Sequence, residues 1–515
     1  MGSFFKIAGL LLFLLGKSIL VNGQTPASVL STGQWVKFSV TADGVYKIDY
    51  NLLKRAGIDA DKIDPKKIKI YASGNGMLPQ RNNAPRKGEL TELAISVSGE
   101  SDGRFDQSDL ILFFGQGPDV YRYNTAKDMF DYSNNFYSDK NFYFMTVAAS
   151  AGKRIASVES VSAASTVINE FDDFAYYEKD QNNIWKSGRE WFGQGFDSEQ
   201  IIKFEISGIV DNSEIKIASN VMAQSYDGSS FKLFFNGISV GEQFVAKIPN
   251  TTYGVKGRHA IDTFKINSTV SSATTRASQE LKFQYIKSAT GPSTGFLDHL
   301  LISFKRKLAL YENQIIFSSE KSLENISSTF EVGSVTTGTA VWDVTDPFNA
   351  GNLMLTVTGS KAAFSSSTQE LKSFVAFNTE KISFPDFESA IVNQNLRTPS
   401  PADLIIITHP DFKAEAERLA KHRINFGKIS VRIVTIEEVY NDFSGGKQDI
   451  TAIRDFARSA YLQGGLKNLL LFGRCSYDYK NRITKNTNYV PTYESINSLS
   501  PLETYSSDDY YTFFE

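Results

Sequence analysis

Few side chains in this 515-residue sequence could act as a nucleophile or move a proton near neutral pH: one cysteine, Cys475, and four histidines, His259, His299, His409 and His422. Cys475 sits in Gly473-Arg474-Cys475-Ser476-Tyr477-Asp478, directly behind the apolar run Leu469-Leu470-Leu471-Phe472. His409 follows a similar run, Leu404 to Ile407. A thiolate on one loop and an imidazole on its neighbour is an arrangement that can open an amide. Arg474 could lower the Cys475 pKa by its charge, making the thiol reactive without making it catalytic. His422 falls inside a helical pattern. His259 and His299 stand alone among β-type sequence, with no second ligand at metal spacing. Asp508-Asp509 could pair with a basic substrate side chain or be a solvated acidic turn. Asp102, Asp106 and Asp109 miss the twelve-residue calcium-loop spacing and read as a solvated turn. The cluster Trp185, Arg189, Trp191 and Phe192 reads either as a carbohydrate or peptide platform, or as an inter-strand aromatic core with a stacked arginine.

The elements that must hold Cys475 and His409 are legible. Asp403 to Thr408 is an uninterrupted apolar run, as in a parallel strand buried on both faces. Thr408-His409-Pro410-Asp411 carries helix-start chemistry, and Phe412, Ala416, Leu419, Ala420 and Ile424 form an apolar stripe that ends at Gly427. Val431 to Ile436 predicts a second strand. Ile450, Ile453, Ala457, Ala460 and Tyr461 predict a second helix stopping at Gly464-Gly465, and Leu469 to Phe472 a third strand. The product is a βαβαβ unit of doubly wound α/β type. Its working loops leave the C-terminal strand ends: Thr408-His409, the segment after Ile436, and 473–478.

These motifs resemble the opening of a gingipain-type cysteine peptidase domain. The matching residues are Asp403 to Pro410, Ile450 to Phe456, Leu469 to Asp478, Val490-Pro491-Thr492-Tyr493 and Ser507 to Tyr511, in that order. The nearest likeness is to members that remove C-terminal sorting domains from type IX secretion cargo. The resemblance implies a caspase/gingipain-like fold and cysteine-type endopeptidase activity, with protein substrates bearing C-terminal sorting domains. It further implies outer-membrane type IX secretion components as partners, and calcium as the one ion to consider, with Asp478 and Asp442 as ligands. Asp508 and Asp509 fall where the family places its substrate pocket. The family's own His and Cys motifs lie downstream of the Asp-Tyr-Tyr region, so they are expected outside this sequence. Cys475 and His409 are then the only stand-ins, and Arg474 departs from the acid usual at its position. The chain by itself is expected to hydrolyse no peptide.

Upstream, the sequence is β-rich. Residues 1–23 read as a signal peptide: Lys6, then an apolar core from Ile7 to Leu15 shorter than the about 20 residues a spanning helix needs, then Val21-Asn22-Gly23 before Gln24. Residues 24–150 read as an N-terminal β-rich domain, with a hairpin expected at Asp43-Gly44 between Trp35–Val40 and Val45–Ile48. Residues 151–395 read as one or more β-sandwich-like modules, and 396–515 as the first part of the α/β domain after Thr398-Pro399-Ser400-Pro401. With 54 basic against 57 acidic residues the net charge is −3, which offers no field for nucleic acid. One cysteine permits no internal disulfide, so an exported, surface- or outer-membrane-associated life would rest on packing alone. A second reading is a non-catalytic secreted β-sandwich scaffold or adhesin whose α/β end binds a partner.

Overall fold

The structure is a computed structural model and describes residues 27–515 apart from 87, 162–165 and 399. The expected signal peptide and Gln24 lie outside the described residues, as does part of the Pro-marked linker. The N-terminal unit is built on a five-stranded sheet in the order Asp386–Ile391, Trp35–Val40, Asn141–Val147, Ile68–Ala72, Thr91–Leu93. Val36, Phe38, Ile70 and Met145 of that sheet share a core with Ile48, Leu53 and Phe113. Asp49 caps the helix Tyr50–Arg55 by accepting from the Leu52 amide at 2.7 Å. The expected hairpin does not form. Trp35–Val40 pairs with Asp386–Ile391 and Asn141–Val147, whereas Gly44–Asp49 pairs with Leu110–Gly115 in a separate sheet. Asp43 turns its carboxylate to the Gly117 amide at 2.7 Å, so the Asp-Gly turn is a corner between two sheets. Local turn chemistry fixed the bend, and long-range pairing chose the partners.

Residues 151–395 contain two sandwiches, one nested in the other. The inner one packs the sheet Glu170–Glu178, Ser293–Lys307, Glu214–Ser225, Arg258–Asn267 on the sheet Glu199–Phe204, Gln279–Ile286, Ser229–Phe235, Ile238–Val245. Alternating Ile215, Ile217, Phe231, Leu233, Leu281 and Phe283 fill its core. The outer one begins with Ala156–Val158 and Val167–Ile168 and resumes at Gln314–Phe317. It centres on Phe330, Phe364 and Phe374, whose rings lie 4.9 to 5.2 Å apart. The chain then returns to the first sheet through Asp386–Ile391.

The C-terminal unit is a parallel three-stranded sheet in the order Val431–Thr435, Leu404–Thr408, Asn468–Phe472. Side chains alternate along the central strand. Leu404 and Ile406 pack on Ala416 and Ala420 of the helix Lys413–Gly427, and Ile405 and Ile407 pack with Val439, Ile450, Ile453 and Phe456 on the other face. A helix absent from the sequence reading, Ile436–Phe443, follows the second strand directly. The Thr435–Glu438 capping box starts it. Ile424 and Tyr461, assigned to apolar stripes, are instead exposed. Asn468–Phe472 is an edge strand, with its four apolar residues only half-buried. Among the described residues, no helix is long and apolar enough to cross a membrane. The architecture is therefore the one expected: β-rich modules followed by an α/β unit of doubly wound type.

Candidate functional site

The loop that leaves Asn468–Phe472 exposes Cys475. Partial burial pushes its thiol above the ordinary range and the Asp508 carboxylate pushes it further; Arg474 pulls the other way, but by less. Arg474 does pull the thiol down as expected, but the reactive thiol that this implied is corrected: Arg474 is exposed and solvated, and burial and the acidic turn outweigh it. His409 is spent on its own turn. Its Nδ1 accepts from the Asp411 amide at 3.3 Å, capping Pro410–Phe412, so this residue rather than Thr408 starts the turn. The imidazole meets the Tyr489 ring edge-on at 5.1 Å, and the Tyr489 amide donates to the Arg474 carbonyl at 2.8 Å. The two loops are thus neighbours across Tyr489, but among the described residues no hydrogen bond joins Cys475 to His409. The structure does not assemble them as nucleophile and base.

Asp508 and Asp509 open a short exposed 3-10 turn, Asp508–Thr512. The Ser507 hydroxyl accepts from the Asp509 amide at 3.2 Å, and Thr492 Oγ1 donates to Asp508 at 2.6 Å. Behind the turn, Tyr510 stacks on Tyr493 at 5.0 Å, and the Arg454 guanidinium lies 4.7 Å from the Tyr510 ring centre. Tyr511 is fully buried and donates to the Pro491 carbonyl at 2.5 Å. The acids themselves remain open to solvent while the turn that carries them is anchored.

Asp478 and Asp442 are both buried, and both are already satisfied by protein donors. Asp478 accepts from the amides of Lys480 at 3.2 Å and Ile483 at 2.8 Å, with Arg482 at 3.5 Å. Asp442 accepts from the Ser28 hydroxyl and from the Leu396 amide at 2.7 Å. Carboxylates saturated by N–H and O–H donors do not fit the calcium role the resemblance offers. Among the described residues, no group of three or more His, Cys, Asp or Glu could hold a metal. His259 and His299 find ordinary partners in Asn220 at 3.0 Å and Asp298 at 3.4 Å; His422 is exposed against Phe426. Asp109, read as part of a solvated turn, is buried and accepts from the Asp106 amide at 2.8 Å.

The aromatic cluster around Arg189 has a role neither sequence reading described. The loop 182–193 of the inner sandwich straps residues 494–499 of the α/β unit. The amides of Gly188, Arg189 and Glu190 donate in turn to Glu494 at 2.8 Å, the Ser495 carbonyl at 3.0 Å and the Ser498 hydroxyl at 2.8 Å. The Ser498 amide answers to Glu190 at 2.7 Å. Trp191 stacks on Tyr477 at 5.6 Å, two residues beyond Cys475. Gly188 sits at φ +76°, and a Cβ there would come within 2.3 Å of the Asn497 carbonyl oxygen, so only glycine permits this approach.

A parallel sheet with a thiol and an acidic turn on the loops at one end makes this an α/β unit of doubly wound type, and residues 397–515 match the model of Peptidase family C25. For that region, the gingipain-type resemblance read from its motifs holds. At the level of fold, the chain as a whole is similar to the crystal structure of dimeric latent PorU from Porphyromonas gingivalis. The TM-score is 0.78 and the identity 23%, covering 95% of this chain and 46% of that one. The chain therefore spans less than half the length of that relative. Two other structures align only loosely. They are the CBM36-1 domain of a multidomain xylanase from the hindgut metagenome of Trinervitermes trinervoides (TM-score 0.16, 10% identity, 25% of this chain and 96% of that one) and the insecticidal delta-endotoxin Cry8Ea1 from Bacillus thuringiensis (0.18, 14%, 32% and 27%). No curated protein matches the chain.

Proposed function

We propose that this chain is the N-terminal portion of an exported, PorU-like cysteine endopeptidase that removes C-terminal sorting domains from type IX secretion cargo. In this reading the β modules engage outer-membrane secretion components. The Asp508–Asp509 turn faces the substrate, where a carboxylate pairs with a basic side chain. The reacting His and Cys come from polypeptide outside this sequence, arranged beside the edge strand Asn468–Phe472. The observation that supports the reading is that edge: four half-buried apolar residues on a parallel strand paired on one side only, ending in a loop whose thiol feels the charge of the acidic turn. Cys475, with its thiol raised and no imidazole bonded to it, acts as a neighbour of the site and not as its nucleophile.

The test is labelling with a peptidyl electrophile bearing a basic side chain, applied to this chain and to a longer one carrying the residues that follow Glu515. The expected result is a label on a downstream cysteine of the longer chain only. Specific labelling of Cys475 that His409→Ala abolishes would overturn the assignment. No labelling of either chain would favour a non-catalytic scaffold.

A further inference from the structure

Arg189 is a costly residue in its position. It is 8% exposed, yet among the described residues its guanidinium makes one hydrogen bond, from Nη1 to the Tyr137 hydroxyl at 3.0 Å, while Nε and Nη2 are buried without a hydrogen-bond partner there. Taking such a cation out of water costs more than one neutral hydrogen bond returns. What it gains is ring electron density: its Cζ lies 5.3 Å from the centre of the Tyr493 ring and 5.9 Å from that of Phe136. Tyr493 stacks on Tyr510, and Arg454 closes the far end of the column. Arg189 comes from the inner sandwich, and the other three belong to the α/β unit. Tyr493 and Glu494 also pair in register with Ser507 and Ser506, the residues that lead into the acidic turn. A shift of Tyr493 is therefore passed to Asp508 by two routes, the ring stack and the short ladder.

We propose that Arg189 is a positioning residue: from the inner sandwich it fixes, through Tyr493 and Tyr510, the place of the turn that carries Asp508 and Asp509. Its bearing on substrate choice rests on the reading that this turn faces substrate; the positioning itself does not. Burial of a lone cation is a poor way to gain stability, since a packed apolar side chain of similar length serves as well or better. The role left for the charge is to orient a ring.

The experiment uses the full chain with Arg189→Met and Arg189→Lys, and reads hydrogen exchange at residues 506–512 together with the pH profile of Cys475 alkylation by iodoacetamide. Asp508→Asn supplies the reference profile for a thiol freed of the acidic turn. With Arg189→Met we expect an unchanged melting temperature, exchange at 506–512 faster by about tenfold, and a thiol profile moved toward that of Asp508→Asn. Arg189→Lys keeps a cation over the ring and should recover part of both shifts. Wild-type exchange and a wild-type thiol profile in Arg189→Met would overturn the proposal. So would a loss of protection spread evenly over the α/β unit, which marks a merely structural role. Should Arg189→Met fail to fold, Tyr493→Leu removes the ring and keeps the cation; the same two readouts then decide. None of these measurements needs turnover, so a chain that is no peptidase leaves them intact. Failure of the substrate reading appears separately, as Asp508→Asn having no effect on binding of a basic peptide.

Discussion

Cys475 shows how a single side chain takes its chemistry from a distant stretch of sequence. Its immediate neighbour is a cation, yet its thiol is raised, because partial burial and the charge of Asp508 outweigh Arg474. A raised thiol holds less thiolate at neutral pH and reacts more slowly. The expected outcome is sluggish alkylation of Cys475 at pH 7, with an apparent pKa above that of a free thiol. Asp508→Asn should bring that value down and speed the reaction by about threefold, on the scale of one partly screened charge. His409→Ala should leave the profile unchanged, since that imidazole is committed to Asp411 and Tyr489. A stopped-time alkylation series from pH 6 to about 10 spans the ordinary thiol range and checks all three. The sequence displayed Cys475, His409 and Asp508 as candidates; it could not display which of them meet.

At the scale of elements, the apolar runs did most of the work. The three parallel strands were legible because each is a short β-branched or leucine-rich block between turn signals. The helix Ile436–Phe443 was missed even though its start signal is written out as Thr435-Ile436-Glu437-Glu438, a capping box ahead of Val439 and Tyr440. The Gly445-Gly446 pair just beyond it drew the whole segment into a loop. Thr435→Ala should therefore cost about 1 kcal/mol in a denaturant titration of the α/β unit. The strap was illegible for a different reason: Gly188, Arg189 and Glu190 bond to residues about three hundred positions later, and no local pattern records that. Gly188→Ala places a methyl against the Asn497 carbonyl and strains a left-handed backbone. The expected loss is about 1 to 3 kcal/mol, read as faster limited proteolysis within 494–505 while the inner sandwich stays resistant.

At the scale of the whole molecule, the N-terminal unit and the α/β unit meet over buried charges. Lys447 donates to Ser73 Oγ at 3.2 Å, the Gly74 carbonyl at 2.7 Å and Asn141 at 2.9 Å, and Lys37 reaches Asn441 at 3.0 Å. Burial lowers both amines to about 8. Asp449, which caps the helix Ile450–Gly464 and accepts from the Leu78 amide at 2.8 Å, is raised by burial to about 6. For the lysines the folded value lies below the unfolded one, so their contribution is fully present above the unfolded value and is lost as pH falls through about 8. For Asp449 it lies above, so its contribution is present at acid pH and is lost as pH rises through about 6. The unfolding free energy from a urea titration should consequently climb between pH 8 and about 10, by up to about 3 kcal/mol per lysine before relaxation. Lys447→Met should flatten that climb, and a wild-type slope in the variant would contradict the assignment. Composition gave no hint of this junction, because Lys447 and Asp449 look like solvated residues in a glycine-bearing loop.

The return of Asp386–Ile391 to the side of Trp35–Val40 sets an order on biosynthesis. A ribosome releases the opening strand of this protein long before it makes the neighbour that will cover it, with two complete sandwiches threaded between them. Until Ile391 emerges, Trp35–Val40 has one flank bare, so the first sheet can close on that side only after both sandwiches have been made.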